Sequence, residues 1–385
     1  MKIALISLHY NPISGAGLHQ ILKMFLEFFS KRGHKITLFT AFSDSNILPK
    51  DTSYKIIEKH LEGSFLTTQK NIANLLLAEE KNFDLYFICG PALLWGGGIY
   101  KKQGGKNPTV VFINNYTSGM WKISLKKQKS KIVHNIKKYI WEKTFGLIYA
   151  KYLDAQIYDS PEIQSIYEKF GYKKNKSKLL LEPIEIQTET QNFDKNKGEF
   201  KILFAGRLIK EKGVDILLKA MIQLKKLKKI HLDIVGDGPE KQTVLDFIKN
   251  NNLSNIITLH PWQSKEKLIE FYKNSDVFVH PCRWIEPFGR TVVEAMSFGI
   301  PIITTEKTGA SWAMNKGGIT FKNGNVNDLS LKISTLYNDY EFKKELSKKA
   351  FERSKEFDSE KTLPVLEQFF QNIVNGKNPE NLKIF

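Results

Sequence analysis

Short apolar runs alternate with helix-length amphipathic stretches along this chain, and that alternation leaves few folds open. Strands are predicted near 2–8, 34–39, 83–88, 109–113 and 154–158, with helices near 17–31, 68–81, 131–149 and 161–170. After a polar stretch the pattern begins again. Strands follow near 201–205, 230–235, 256–260, 276–280 and 300–304, with helices such as 213–228, 240–250, 265–273 and 289–298. Such alternation builds parallel, doubly wound sheets, because parallel neighbours need a long crossover and a helix supplies it. Two series in tandem imply an α/β chain of two Rossmann-like domains. The stretch Glu185–Glu199, rich in Gln, Thr, Asn, Asp and Lys, is the natural linker. The expected boundaries are therefore 1–184, 185–199 and 200–358, followed by 359–385, where Leu363, Leu366, Phe369, Phe370 and Ile373 mark an amphipathic last helix. At 385 residues the chain is long enough for each domain to bury its own core.

Composition narrows the class further. Apolar residues make up 42 % and aromatics 12 %, as in a folded globular protein, with no low-complexity tract and no fixed-period repeat. Cys89 and Cys282, one in each predicted domain, are too few for a disulfide framework, so a reducing cytoplasm is expected. Cys282 reads as a small buried hydrophobe. Cys, His and acidic residues show no metal-ligand spacing, so no metal cofactor is expected. The apolar start Met1–Leu8 is short and lacks a cleavage site, which suits a first strand better than a secretory signal. No apolar segment approaches the ~18 residues that span a bilayer. The expected location is the cytoplasm, free or resting on the inner face of the membrane.

The most informative local pattern is Glu286-Pro-Phe-Gly-Arg-Thr-Val-Val-Glu294, continuing through Ala295-Met296-Ser297-Phe298-Gly299-Ile300-Pro301. If this segment is helical from Gly289, its two glutamates lie ~12 Å apart along the axis, about the span from ribose to sugar ring in a nucleotide-sugar. Between them a helix N-terminus, at Phe288–Gly289 with Pro287 before it and Arg290 after it, offers free N–H groups to a diphosphate. Carboxylates accept hydrogen bonds from sugar or ribose hydroxyls, so Glu286 and Glu294 could grip the two ends of such a ligand. A bare pair of surface glutamates is the plain alternative, and the company the pair keeps argues against it. Arg207 and Lys212 follow the strand at 201–205 and would reach a diphosphate as fixed cations. Gly236 and Gly238 close the next strand in a tight turn, either as punctuation or for ligand approach.

Three motifs, Phe204-Ala-Gly-Arg-Leu-Ile-Lys-Glu-Lys-Gly213, Leu232-Asp-Ile-Val-Gly-Asp-Gly-Pro-Glu240 and the Glu286–Pro301 block, resemble in order and spacing the GT4 family of retaining glycosyltransferases. The resemblance is strong over roughly 200–305 and weaker over 1–180. It implies the GT-B fold, two Rossmann-like domains facing a cleft, with a C-terminal helix crossing back to the first domain. It further implies sugar transfer from a GDP- or UDP-sugar with retention at the anomeric carbon. Arg207, Lys212 and the helix N-terminus would then stabilise the departing diphosphate, Glu286 would hold the donor sugar, and the leaving phosphate would take the acceptor's proton. No protein base and no divalent metal would be required. Ser14-Gly15-Ala16-Gly17 resembles the family's glycine loop facing the donor phosphates, although Ala16 separates the glycines Gly15 and Gly17.

Other departures from the family pattern bear on the acceptor side and the base. Many relatives place a histidine after the fourth strand; here Asn114-Asn115-Tyr116 stands there, and an amide orients a hydroxyl without taking its proton. Neither His9 nor His134 can be promoted to that role from sequence. Pro261-Trp262 replaces a common glycine near the nucleobase, and Trp262 either stacks on the base or belongs to the core.

Charge adds a separate signal. The net charge is +18, and residues 101–150 hold eleven lysines against one acid, Glu142. Ile132, Val133, Ile136, Tyr139 and Ile140 form an apolar stripe beside Lys131, Lys137 and Lys138, flanked by Trp121 and Trp141. Residues 121–143 therefore suit an anionic membrane surface, or equally a core helix with a solvated lysine face. On the first reading the acceptor is a lipid-linked glycan of surface polysaccharide or lipopolysaccharide synthesis. No recognition motif supports nucleic acid as a partner. Two other classes stay open beside a glycosyltransferase: another enzyme of the same fold, such as a phosphorylase or sugar-nucleotide epimerase, and a non-catalytic nucleotide-sugar binder at a membrane surface.

Overall fold

The computed structural model describes residues 1–11, 17–43, 53–59, 61, 63–115, 139–186, 193 and 198–384. The chain divides into two units, Met1–Pro183 with Glu360–Phe385, and Ile184–Ser359.

In the first unit the strands are β1 (Lys2–Tyr10), β2 (Lys35–Ser43), β3 (Lys55–Glu58), β4 (Leu85–Cys89), β5 (Thr109–Ile113), β6 (Ala155–Tyr158) and β7 (Ser177–Leu179). They pair in parallel in the order β3-β2-β1-β4-β5-β6-β7. Every residue of β4 and β5 is buried, as it must be when helices cover both faces of a sheet. Alternate residues serve opposite faces: Ile3, Leu5, Phe87 and Phe112 enter one core, and Ala4, Ile6, Ile88 and Val111 the other. The last helix, Ser359–Val374, packs on the first of these cores through Leu363, Leu366, Phe369 and Phe370. Phe370 stacks on Phe29 at 5.6 Å and meets Phe87 edge-on at 4.9 Å. Glu367 from the same helix is gripped by His34 at 2.6 Å and Arg32 at 3.2 Å.

The second unit holds β8 (Phe200–Ala205), β9 (Ile230–Val235), β10 (Ile257–His260), β11 (Val277–His280), β12 (Ile302–Thr305) and β13 (Gly318–Phe321). Their parallel order is β10-β9-β8-β11-β12-β13. Connections run outward in opposite directions from β8 and β11, so the loops at the carboxyl ends of these two strands diverge and leave a crevice. Ile202, Phe204, Val277 and Val279 line one core and Leu203, Ala205 and Phe278 the other.

The structure departs from the sequence reading in instructive places. The edge strands β3, β7 and β13 escaped it because they are short, and β3 and β13 are only partly buried. The helix Leu94–Lys102 escaped it because Gly96-Gly97-Gly98 reads as a breaker. Those glycines instead let the helix press close to its neighbours: a Cβ on Gly97 would meet Ile88 at 2.6 Å, and one on Gly98 the Tyr149 carbonyl oxygen at 2.4 Å. Of the helix expected over 131–149, residues 131–138 lie outside the described residues. The remainder contains a π-turn at Glu142–Gly146 before Leu147–Ala150.

Candidate functional site

The strongest constellation lies in the second unit, where loops leave β8, β9, β11 and β12. After β8, Gly206-Arg207-Leu208 runs against the turn that follows β9. Leu208 donates its N–H to the Asp237 carbonyl at 2.8 Å, and Glu240 returns one to the Leu208 carbonyl at 2.9 Å. A Cβ on Gly236 would sit 2.0 Å from the Gly206 oxygen, and one on Gly238 2.5 Å from the Leu208 oxygen. Both glycines thus let two backbones touch, which is sufficient reason for them without a ligand.

Downstream, Lys210–Lys212 forms a short turn that Gly213 ends at φ 68. A Cβ there would lie 2.0 Å from the Pro281 carbonyl oxygen, and Arg283 donates to the Glu211 carbonyl at 2.8 Å. These contacts fasten the β8 loop to the β11 loop and carry Lys212 to Glu286. The Lys212 ammonium lies 2.9 Å from both carboxylate oxygens. Cys282 Sγ donates to Glu286 Oε2 at 3.0 Å and the Trp284 indole N–H does so at 2.7 Å.

Electrostatics fix the protonation of this cluster. Burial by itself would raise the Glu286 carboxyl, but the Lys212 ammonium and the surrounding donors hold it at about 2. Burial works against the Lys212 charge, and Glu286 overcomes it, so Lys212 stays above its ordinary range. Burial and then Glu286 push the Cys282 thiol well up, in keeping with its role as donor. His280, at the end of β11, is pushed down to about 4 by burial and by Lys212, and is neutral near pH 7. Its Nδ1 lies 3.3 Å from Thr304 Oγ1, while its Nε2 is buried without a hydrogen-bond partner. His280, Cys282 and Glu286 offer ligand atoms within 4.8 Å of one another, a grouping their H-x-C-x3-E spacing did not announce. Lys212 occupies both oxygens of that carboxylate, so the set acts here as a hydrogen-bonding cradle for Glu286.

The helix Arg290–Ser297 begins at Gly289, whose φ of 86 admits no other residue easily. Glu294 on its first turns is held by Arg290 Nε at 3.2 Å and the buried Tyr272 hydroxyl at 3.3 Å. Gly309, after β12, donates to the Glu286 carbonyl at 2.8 Å, and a Cβ there would fall 1.6 Å from the Pro287 oxygen. Thr305 Oγ1 donates to the Cys282 carbonyl at 2.7 Å, so the β12 loop props the β11 loop from the far side. Gly309, Thr305, His280, Trp284 and Tyr272 were missed in sequence. Only Gly309, a glycine soon after a predicted strand, carried a signal that could have been read.

Other expected residues fall as follows. Arg207 is exposed beside Lys212, and its charge opposes that lysine's. Phe288 is core, packed 5.3 Å from Phe357, so only its backbone faces a ligand. Trp262 is 56 % exposed, which removes the core alternative. In the first unit, Asn114 and Asn115 follow β5 half-buried, and the Asn115 carbonyl accepts the Tyr167 hydroxyl at 3.1 Å. Gly17 opens the helix Gly17–Lys31 with open space about it, whereas Gly15 lies outside the described residues. His9, at the end of β1, meets His19 edge-on at 5.6 Å, and burial and His9 lower the His19 pKa.

The second unit is a doubly wound parallel sheet with a cation–carboxylate cluster at its switch point, the place where such α/β sheets commonly bind ligands. Residues 185–353 match the family model described as glycosyl transferases group 1, so this unit is similar to members of that family. It is 31 % identical over 181 residues to an uncharacterised glycosyltransferase of Methanocaldococcus jannaschii, covering 46 % of this chain and 50 % of that one. The chain spans about half the length of the curated relatives that it matches first. Among solved structures it resembles sucrose-phosphate synthase from Thermosynechococcus elongatus, with a TM-score of 0.79, 18 % identity, and coverage of 98 % and 100 %. It also resembles Anabaena HepE solved in complex with UDP, with a TM-score of 0.74, 17 % identity, and coverage of 97 % and 100 %. The fold is GT-B.

Proposed function

We propose that the protein is a retaining glycosyltransferase that moves a sugar from a nucleoside-diphosphate sugar to a glycan or lipid-linked acceptor. The observation that carries this reading is the Lys212–Glu286 ion pair at the carboxyl ends of β8 and β11. An arriving diphosphate competes with Glu286 for the Lys212 ammonium, and Arg207 adds a second cation beside it. Once its oxygens are released, Glu286 remains an anion and accepts hydrogen bonds from the donor sugar's hydroxyls. In this reading Glu294 takes the ribose and exposed Trp262 the base. Negative charge growing on the leaving diphosphate is met by Lys212, Arg207 and the N–H groups at Gly289, so the reaction proceeds without a divalent metal. The likeness to a UDP-bound neighbour and the group 1 family match support a nucleotide-sugar donor. Surface polysaccharide synthesis is the process that suits a lipid-linked acceptor.

The test is a thermal-shift and hydrolysis screen against UDP-, GDP- and ADP-sugars with and without EDTA, followed by NMR of the product's anomeric configuration. One donor that stabilises the protein and is hydrolysed despite EDTA, with retention, supports the proposal. Full turnover by Arg207→Ala and Lys212→Ala, or inversion in the product, overturns it.

A further inference from the structure

Residues 139–150 form a helical stretch of the first unit that is inside out. In water a surface helix turns apolar residues to the core and carboxylates to solvent. Here Glu142, the one acid among residues 101–150, is buried: it accepts the Tyr172 hydroxyl at 2.7 Å and lies beside the Trp95 indole. Gly146 shares that inward face, where a Cβ would meet Glu142 Oε1 at 2.8 Å. The outward face carries Trp141, Phe145 and Ile148, at the i, i+4 and i+7 positions, with Tyr139 and Ile140 beside them; all five are 39 to 51 % exposed.

The apolar surface continues onto a second element. Phe145 lies 6.5 Å from Trp141 and 6.4 Å from Trp95, and Trp95 meets Phe65 at 4.7 Å. Phe65 and its neighbour Leu66, at the start of the helix Phe65–Ala78, are each 42 % exposed. Three lysines lie on or beside the same stretch. Lys143 sits 4.8 Å from the Phe170 ring, Lys102 5.8 Å from Tyr149 and Lys151 5.3 Å from Tyr152. In sequence, residues 116–138, which lie outside the described residues, hold seven lysines and no acid.

We propose that the face formed by Tyr139–Ile148 and Phe65–Leu66 docks onto the headgroup layer of an anionic lipid bilayer. Aromatics with lysines beside them match that environment: rings insert at the acyl boundary while ammonium groups reach lipid phosphates. A second copy of the chain would bring the same lysines face to face, which like-charge repulsion opposes. Among the described residues no helix is long and apolar enough to cross a membrane, so contact through this face is peripheral. The proposal stands on the first unit alone and is independent of the donor chemistry, so either can fail without the other.

The full chain is tested by flotation with phosphatidylcholine vesicles, with and without phosphatidylglycerol. Binding should require phosphatidylglycerol and weaken with salt. Two variants, Trp141→Ser/Phe145→Ser/Ile148→Ser and Phe65→Ser/Leu66→Ser, should each lose roughly tenfold or more in vesicle affinity with thermal unfolding unchanged. Three results would each overturn the proposal. Unaltered binding by both variants would assign attachment to lysines elsewhere. Equal binding to neutral vesicles would remove the anionic lipid. A dimer in sedimentation that these substitutions dissociate would give the face to a second copy.

Discussion

At the scale of single residues, Lys212 and Glu286 do two things at once. They neutralise each other in a crevice that water barely reaches, and they hold each other until a better partner comes. Removing one member of such a pair leaves a buried charge uncompensated. Lys212→Ala should therefore destabilise the second unit by about 3–5 kcal/mol. If the proposed phosphate role holds, it should also slow turnover about a hundredfold. The double variant Lys212→Met/Glu286→Gln should recover most of the stability in urea titration and none of the turnover. His280 adds a pH dependence. Its folded pKa of about 4 lies below its ordinary 6.5, so the unfolded chain binds a proton there that the folded one refuses. Stability from this group is complete above pH 6.5 and lost as pH falls toward 4. Glu286, at about 2 against an ordinary 4.5, extends the loss below pH 4.5. Urea midpoints measured from pH 7 downward should fall through both windows, and His280→Gln should flatten the upper one.

At the scale of elements, the site depends on loops locked by close backbone contact. The β12 loop reaches the β11 loop only because Gly309 has no side chain. Gly309→Ala must push the Pro287 carbonyl aside, and overpacking of this kind costs about 1–3 kcal/mol. Because Glu286 is the residue next to Pro287, the displacement should reach the site. The expected signature is a thermal midpoint lowered by a few degrees together with loss, in the same assay, of any stabilisation by the nucleotide-sugar proposed above. The elements legible in sequence were those with long apolar runs or strong motifs, such as β1, β5 and the helix at Arg290. Those that escaped depended on neighbours: the glycine helix Leu94–Lys102 exists because Ile72, Ile88 and Tyr149 press on it. Of the amphipathic stripe read from sequence, only Tyr139 and Ile140 fall among the described residues. Which face of the stretch beyond them points inward was not legible, because Glu142 is kept inside by Tyr172 and Trp95, far off in sequence.

At the scale of the whole molecule, the chain leaves the first unit after Pro183 and returns to it at Glu360. The returning helix is integral to the core of the first unit. Phe370, fully buried between Phe29 and Phe87, makes this measurable: Phe370→Ala should cost the first unit about 3–5 kcal/mol. Hydrogen exchange should locate the loss in the strands of the first sheet and leave β8 to β13 protected.

The sequence by itself determined the α/β class, the tandem sheets and the motifs that fall at the carboxyl ends of β8, β9 and β11, because periodicity and motif spacing are local properties of a chain. Pairings across long separations were decided only by the tertiary structure. Lys212 and Glu286, 74 residues apart, meet because β8 and β11 are neighbours at the switch point. His280 lost its charge, and Glu142 and the aromatics beside it exchanged inside for outside, for the same reason. Burial and partnership are set by what folds against a residue, and no window of sequence contains that.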